Sequence, residues 1–258
     1  MRQTTLNHLT KENAKEKKII PFEPEKVLIF DLIGAMAHFR NVQTNSSSLS
    51  YLFPPPTTIC GLIAGILGKK RDTYYSEFGI NNIFLSVEIL TPLRKSIFTV
   101  NYRQFKEDNY AQIPIELVLP LNLEELRYRI YFSINDSITY EQLRETLRKG
   151  KAYYPPYLGL SEFLARIEFL GEFQAQKVKK GDIVQVNSII KAEQLEIVDY
   201  GERFSLFPEY MRRYFVEGRN PGPMVKYFYI SSGILKIKVN DDIYCIKMNE
   251  QIKNICRL

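Results

Sequence analysis

The sequence predicts an α+β fold whose elements run β-α-β-β-α-β. Three observations carry this. Short runs rich in Val, Ile, Leu, Phe and Tyr recur at strand length, bounded by turn residues. Two segments, 57–70 and 139–150, instead space their apolar residues three and four apart, the helical period. One helical segment follows the first strand-like run and the other follows the alternating run 127–134.

Residues 1–24 are polar, mixed in charge and end in the Pro21–Pro24 region, which reads as a basic tail. EKVLIFDLIGAMAHF (25–39) holds the first strand. RNVQTNSSSLSYLFPPP (40–56) crowds turn residues and ends in three prolines, which hold an extended path and cannot donate hydrogen bonds. A loop this long inside a compact chain is functional or disordered. In TTICGLIAGILGKK (57–70), Thr57 or Thr58 is expected to cap a helix starting at Ile59, with Ile59, Leu62, Ile63, Ile66 and Leu67 on its apolar face. Gly61 and Gly65 share one side of it. Each costs roughly 1 kcal/mol relative to Ala in a helix, so close approach of a backbone or ligand is the expected compensation. Gly68 suits the C-terminal cap, and Lys69, Lys70 and Arg71 suit the negative end of the helix dipole.

Strands are expected at 82–90, 93–106, 127–134 and 164–178, and the second helix at 139–150, with Leu143 and Leu147 inward and Gly150 at its end. This is the ferredoxin-like order, with one β-rich excursion between the second strand and the second helix. Beyond residue 180, short hairpin-like strands are expected near 184–198, 224–231, 234–239 and 243–248, forming a β-rich C-terminal subdomain over 181–258. RFSLFPEYMRRYFVEGRNPGP (203–223) lies among them. It is dense in aromatics and arginines and reads as a packing or protein-interface segment.

Composition excludes several classes. The 258 residues are 45% apolar and 25% charged, so the chain is neither disordered nor of low complexity. The net charge is +6, of which residues 1–19 carry +3 (five cations against two acids), so local patches must carry any nucleic-acid argument. Three widely spaced cysteines, Cys60, Cys245 and Cys256, exclude a disulfide framework and point to a reducing cytoplasm. The N-terminus has no apolar signal core, and the longest apolar run, Ile59–Leu67, is about half the ~20 residues that span a bilayer. No membrane partner is expected.

No catalytic motif stands out. There is no GxSxG, HExxH, P-loop or GxGxxG, and only two histidines, so no metal or cofactor is expected. His38 reads as a structural or hydrogen-bonding group rather than a base. RNA cleavage needs only an acid, a base and a cation near phosphate, roles that Tyr and Lys can fill. The nucleic-acid signal is stronger. Arg40, Thr44, Asn45, Ser46, Ser47, Ser48 and Tyr51 offer a cation, small hydroxyl and amide groups for phosphate and 2′-hydroxyl oxygens, and a ring to stack on an unpaired base. The same loop also reads as a solvated turn held by its own hydroxyls. A second candidate is the arm Arg94, Lys95, Tyr102, Arg103 and Lys106, with four cations and no acid in residues 93–106. It also reads as a solvated strand face.

The run FRNVQTNSSSLSYLFPPPTTICGLIAGILG (39–68) resembles the fifth family of CRISPR-associated (Cas) proteins, especially the form found with type I-B systems. QIPIELVLP (112–120) followed by YRIYFSI, and YYPPYLGLSEFLA (153–165), resemble two further blocks of that family, in the same order. Pro56 departs from the pattern, standing where many relatives carry a basic residue. The resemblance implies a ferredoxin-like, RNA-recognition-type domain of the RAMP superfamily over 25–180, with an inserted thumb mapping to about 93–125. It implies a non-catalytic subunit of the Cascade surveillance complex that holds the 5′ handle of the CRISPR RNA. Its implied partners are the backbone-subunit filament, which it caps, the large subunit, and target DNA through the complex. Gly61 and Gly65 would then face RNA or a neighbouring subunit. The alternative is a metal-independent endoribonuclease acting on precursor CRISPR RNA, as in type I-C relatives that use a Tyr with a Lys-His pair. Tyr51 could be that Tyr, but the chain has no Lys-His dipeptide.

Overall fold

The computed structural model describes residues 21–44, 48–104, 109–122, 124–198, 204–249 and 251–258. Strand β1 (Lys26–Gly34) is followed by two short strands, β2 (Phe39–Arg40) and β3 (Ser50–Tyr51), then helix α1 (Pro56–Ile66) and β4 (Ile83–Ile89). Strands β5 (Leu93–Gln104) and β6 (Asn109–Pro120) come next, then β7 (Leu126–Ile134), helix α2 (Ser137–Arg148) and β8 (Arg166–Lys177). The remainder contributes β9 (Ile183–Gln185), β10 (Ile190–Lys191), β11 (Ser205–Arg212), β12 (Phe215–Val216), β13 (Asn220–Pro221), β14 (Met224–Ser232), β15 (Lys236–Lys238), β16 (Ile243–Met248) and β17 (Gln251–Cys256).

The fold is mixed, two helices against an antiparallel sheet ordered β17-β16-β8-β1-β7-β4. Strand β1 sits near its middle and is buried from Val27 to Gly34, which explains its near-continuous apolar run. Successive residues point to opposite faces. Leu28, Phe30 and Leu32 join the core formed with Ile59 and Ile63 of α1 and Leu143 and Leu147 of α2, while Val27 and Ile29 join Phe84, Tyr131, Tyr244 and Ile246 on the other face. Asp31 also points to that second face and is fully buried. Arg129 holds both its oxygens, at 2.8 and 3.0 Å, and Arg127 donates at 3.0 Å. Opposite Ile29 and Phe30 the register slips by one residue of β8. Gly171 adopts φ +132° there, which a side chain would oppose.

Helix α1 starts earlier than the threonines suggest. Pro55 is its N-cap, without a side-chain hydrogen bond, and Pro56 occupies the first helical position. Proline's φ is preset for that position and its missing N–H would have no partner there. The far end closes as expected. Gly68 takes φ +70°, its N–H donates to the Gly65 carbonyl and Lys69 N–H donates to the Ala64 carbonyl, the paired bonds of a Schellman motif. Asp136 caps α2 by accepting from Thr139 N–H at 2.8 Å, so that helix begins two residues before the expected 139.

Strands β5 and β6 pair from Leu93↔Pro120 to Gln104↔Asn109, a long hairpin outside the main sheet. It is tied back by the bridges Ala37↔Val118 and Ser48↔Ile115. Past residue 180, β16 pairs with β8 and so extends the main sheet, while β10, β14 and β11 make a second sheet. The aromatic-arginine segment therefore contributes a strand, β11, where its composition suggests only packing surface. Of the expected tail, residues 1–20 lie outside the described residues. Phe22 N–H donates to the Asn81 carbonyl and Glu23 pairs with Lys177 at 2.5 Å, so the chain is already docked ahead of residue 25.

Candidate nucleic-acid interface

The loop after β1 is a closed excursion. Phe39 pairs with Tyr51 and Arg40 with Ser50, and Asn41 N–H donates to the Leu49 carbonyl at 2.8 Å. The Asn41 side chain accepts from Gln43 N–H at 2.9 Å, and Thr44 Oγ1 donates to the Asn41 carbonyl at 3.0 Å. These local bonds turn the chain at its start. Asn45, Ser46 and Ser47 lie outside the described residues.

A chain of hydrogen bonds then fixes Arg40. His38 Nδ1 lies 2.8 Å from the Glu116 carbonyl, which can only accept, so Nδ1 carries the proton. In the neutral ring Nε2 accepts from the Ser48 hydroxyl at 3.2 Å, and the Ser48 oxygen in turn accepts from Arg40 Nη1 at 3.2 Å. Arg40 Nη2 donates to the Thr44 carbonyl at 3.4 Å. Arg40 is exposed, and among the described residues three of its five N–H groups have no hydrogen-bond partner and can meet an anion. His38 is buried, with both ring nitrogens engaged. It acts here as the link between loop and hairpin.

Glu116 of β6 is the residue that sequence reasoning missed. Its carboxylate accepts from Ser50 N–H at 2.9 Å, its N–H donates to the Ser48 carbonyl at 2.9 Å, and its carbonyl accepts from His38 Nδ1–H. The only signal is one acid inside the apolar run IPIELVLP (113–120). The two candidate patches meet at this point. Lys95 donates to the Ser50 carbonyl at 2.5 Å and lies 3.5 Å from Glu116 and 3.4 Å from Glu209. Two carboxylates thus answer its charge, which makes it a clamp on the loop.

The other expected residues are dispersed. Tyr51 is a correction: its ring is buried in the main core and presents no face to a base. Pairing with β2 turns it inward, and burial raises its phenol above the usual range. Arg94 and Arg103 are exposed on β5, while Lys106 and the side chain of Tyr102 lie outside the described residues. Gly61 is covered, since a Cβ there would meet the Tyr74 hydroxyl at 3.2 Å. At Gly65 a Cβ would meet nothing within 4 Å, so no neighbour within the described chain accounts for that glycine. Among the described residues no three His, Cys, Asp or Glu side chains gather to hold a metal ion, the three cysteines are free, and no helix is long and apolar enough to cross a membrane.

No curated protein matches the sequence. Among solved structures, the chain is similar to a CRISPR protein from Archaeoglobus fulgidus, at 14% identity and a TM-score of 0.57, over 90% of this chain and 100% of that one. It is also similar to a chain of the Type III-B Cmr-beta complex bound to cognate target RNA and AMPPnP (12% identity, TM-score 0.49, 82% of this chain and 86% of that one). A chain of a CRISPR RNA-guided surveillance complex is similar at 12% identity and a TM-score of 0.46, over 82% of this chain and 91% of that one. At such identities the first likeness bears on the fold alone. The model of the family described as CRISPR-associated protein (Cas_Cas5) matches residues 27–101. Strand β1, the Arg40–Ser48 loop, α1, β4 and most of β5 are thus the part of this chain that resembles the CRISPR-associated (Cas_Cas5) family.

Proposed function

We propose that this chain is a non-catalytic CRISPR RNA-binding subunit of a type I Cascade complex, holding the 5′ handle and capping the backbone-subunit filament. Arg40 is the observation that carries the reading. It is exposed, yet hydrogen bonds through Ser48 and His38 to the β5–β6 hairpin hold it in place. A charge oriented in advance costs less to order when an anion binds. It also lies within the part of the chain that matches the family model.

The strand order supports an RNA-recognition-type domain. Counting only the strands of the repeat, β8-β1-β7-β4 is fourth, first, third, second, the arrangement of a ferredoxin-like β-α-β-β-α-β unit. The β5–β6 hairpin is then the thumb, and Arg94 and Arg103 on it reach toward RNA backbone or the neighbouring subunit. Binding is favoured over cleavage because Tyr51, the phenol that the endoribonuclease reading would use, is buried.

The test mixes the purified chain with labelled CRISPR RNA carrying its repeat-derived 5′ handle, without metal, and follows retention and fragment size. Retention of uncut RNA, lost on scrambling the handle and weakened in Arg40→Ala with an unchanged melting transition, is the expected result. A discrete cut within the repeat would replace this reading with the endoribonuclease one.

A further inference from the structure

One five-residue stretch exposes three aromatic rings, Tyr153 at 71%, Tyr154 at 53% and Tyr157 at 46%. Its backbone is fixed at both ends. Tyr153 N–H donates to the Ile66 carbonyl at 3.0 Å and Tyr154 N–H to the Gly65 carbonyl at 3.2 Å, at the last turn of α1. The Tyr153 ring lies over Gly68, where a Cβ would come within 2.6 Å of it. At the other end, the Leu158 carbonyl accepts from His38 N–H at 3.0 Å, and a Cβ on Gly159 would strike the His38 carbonyl. Pro155 and Pro156 stiffen the path between. The rings are therefore strung on a preset backbone running from α1 to the start of the Arg40 strand.

Two exposed lysines lie close to the stretch along the chain. Lys70 and Lys151 flank the stretch in sequence or through Gly68, both are exposed, and 149–157 contains no acid. The α1 surface at Gly65, beside Tyr154, has open space. Protein interfaces use Tyr but are depleted in Lys. Exposed rings with lysines nearby in the chain suit the stacked bases and the backbone of an unpaired strand.

We propose that Tyr153, Tyr154 and Tyr157 form a stacking platform for unpaired RNA bases, with Lys70 and Lys151 tracking the phosphates. The proposal rests on the RNA-binding reading and adds the surface on which bases lie. Tyr154 to Tyr157 spans at most ~10 Å of extended chain, so the rings address neighbouring nucleotides of one strand.

The chain has no Trp and 17 Tyr, so the part of the tyrosine-emission quench that is lost when these rings are replaced reports stacking on them. Full-length protein is titrated with handle-bearing CRISPR RNA and with an octamer of adenylate, and melting is followed in parallel. Tyr154→Leu with Tyr157→Leu is expected to weaken both RNAs about ten-fold or more and to remove part of the quench. The Tyr→Phe pair is expected to keep the affinity, because a phenyl ring still stacks. Lys70→Gln with Lys151→Gln is expected to lower the slope of log affinity against log salt by about 0.7 per lysine. If the leucine pair binds as wild type while Arg40→Ala weakens binding, the platform is overturned and the RNA-binding reading stands. If the leucine pair keeps its RNA affinity but loses a concentration-dependent self-association, the rings are a protein-docking surface and the proposal fails. If wild type binds neither RNA, both readings fall.

Discussion

His38 Nδ1 donates to the backbone carbonyl of Glu116, 78 residues further along, at 2.8 Å. That bond is one of several that join the loop after β1 to the β5–β6 hairpin, and its donor role sets the ring tautomer that lets Ser48 and Arg40 follow in line. His38→Ala is therefore expected to destabilise the chain by about 1–3 kcal/mol, the cost of leaving buried partners unsatisfied. Urea unfolding measures it through the midpoint at constant slope. A midpoint equal to wild type would show that the link contributes nothing.

Asp31 presents a harsher case. It is fully buried and the arginines at 127 and 129 both bind it. Asp31→Asn keeps the shape but leaves Arg129, itself mostly buried, without its anion. Breaking a buried pair on one side costs about 3–5 kcal/mol. The substitution is expected to lower the unfolding midpoint more than any change at Arg166 or Glu125, an exposed pair worth about 0–1 kcal/mol.

Stability is expected to fall on the alkaline side. Burial pushes the Cys256 thiol up to about 11, against the pull of the nearby Lys191 ammonium. An unfolded thiol titrates near 8.5. The folded value is the higher one, so the contribution is complete below the unfolded value and is lost as pH rises toward about 11. The buried phenols of Tyr227 and Tyr244 are raised by burial too and add loss of the same sign at higher pH. Urea midpoints at pH 7.5 and 10 check the direction. With iodoacetamide at pH 8, Cys256 should label only on unfolding. Labelling of the native chain at Cys256 would contradict its burial.

How much of the fold and site is legible in the sequence depends on the range of the interaction. Strand β1 can be read because burial on both faces leaves an apolar run. Helix α2 can be read because Leu143 and Leu147 keep the helical period above a capping Asp136. Glu116 cannot, since its role exists only once β6 lies against the loop. Tyr51 reads as outward because loops face water; pairing of two-residue strands turns it inward. Strand β11 is hidden by Pro208 and by arginines at its end. Tyr153, Tyr154 and Tyr157 stand in plain view as YYPPY, but only the backbone bonds to α1 show that the rings are held out.

Three glycines near the site should separate by what surrounds them. Gly65 is helical, and an added methyl group there would find nothing within 4 Å, so Gly65→Ala is expected to stabilise the isolated chain by up to about 1 kcal/mol through helix propensity. Gly68 has φ +70° with the Tyr153 ring over it, and Gly159 has φ +92° with the His38 carbonyl in the way. Alanine at either is expected to destabilise, and more at Gly159, where backbone rather than a movable ring must give. Thermal melting of the three variants gives the order directly. If Gly65→Ala melts higher yet Gly65→Leu, equally folded, binds RNA or joins the complex less well, the helix face is kept bare for a partner. If Gly65→Leu assembles and binds normally, that face is open and the glycine there has only a local role.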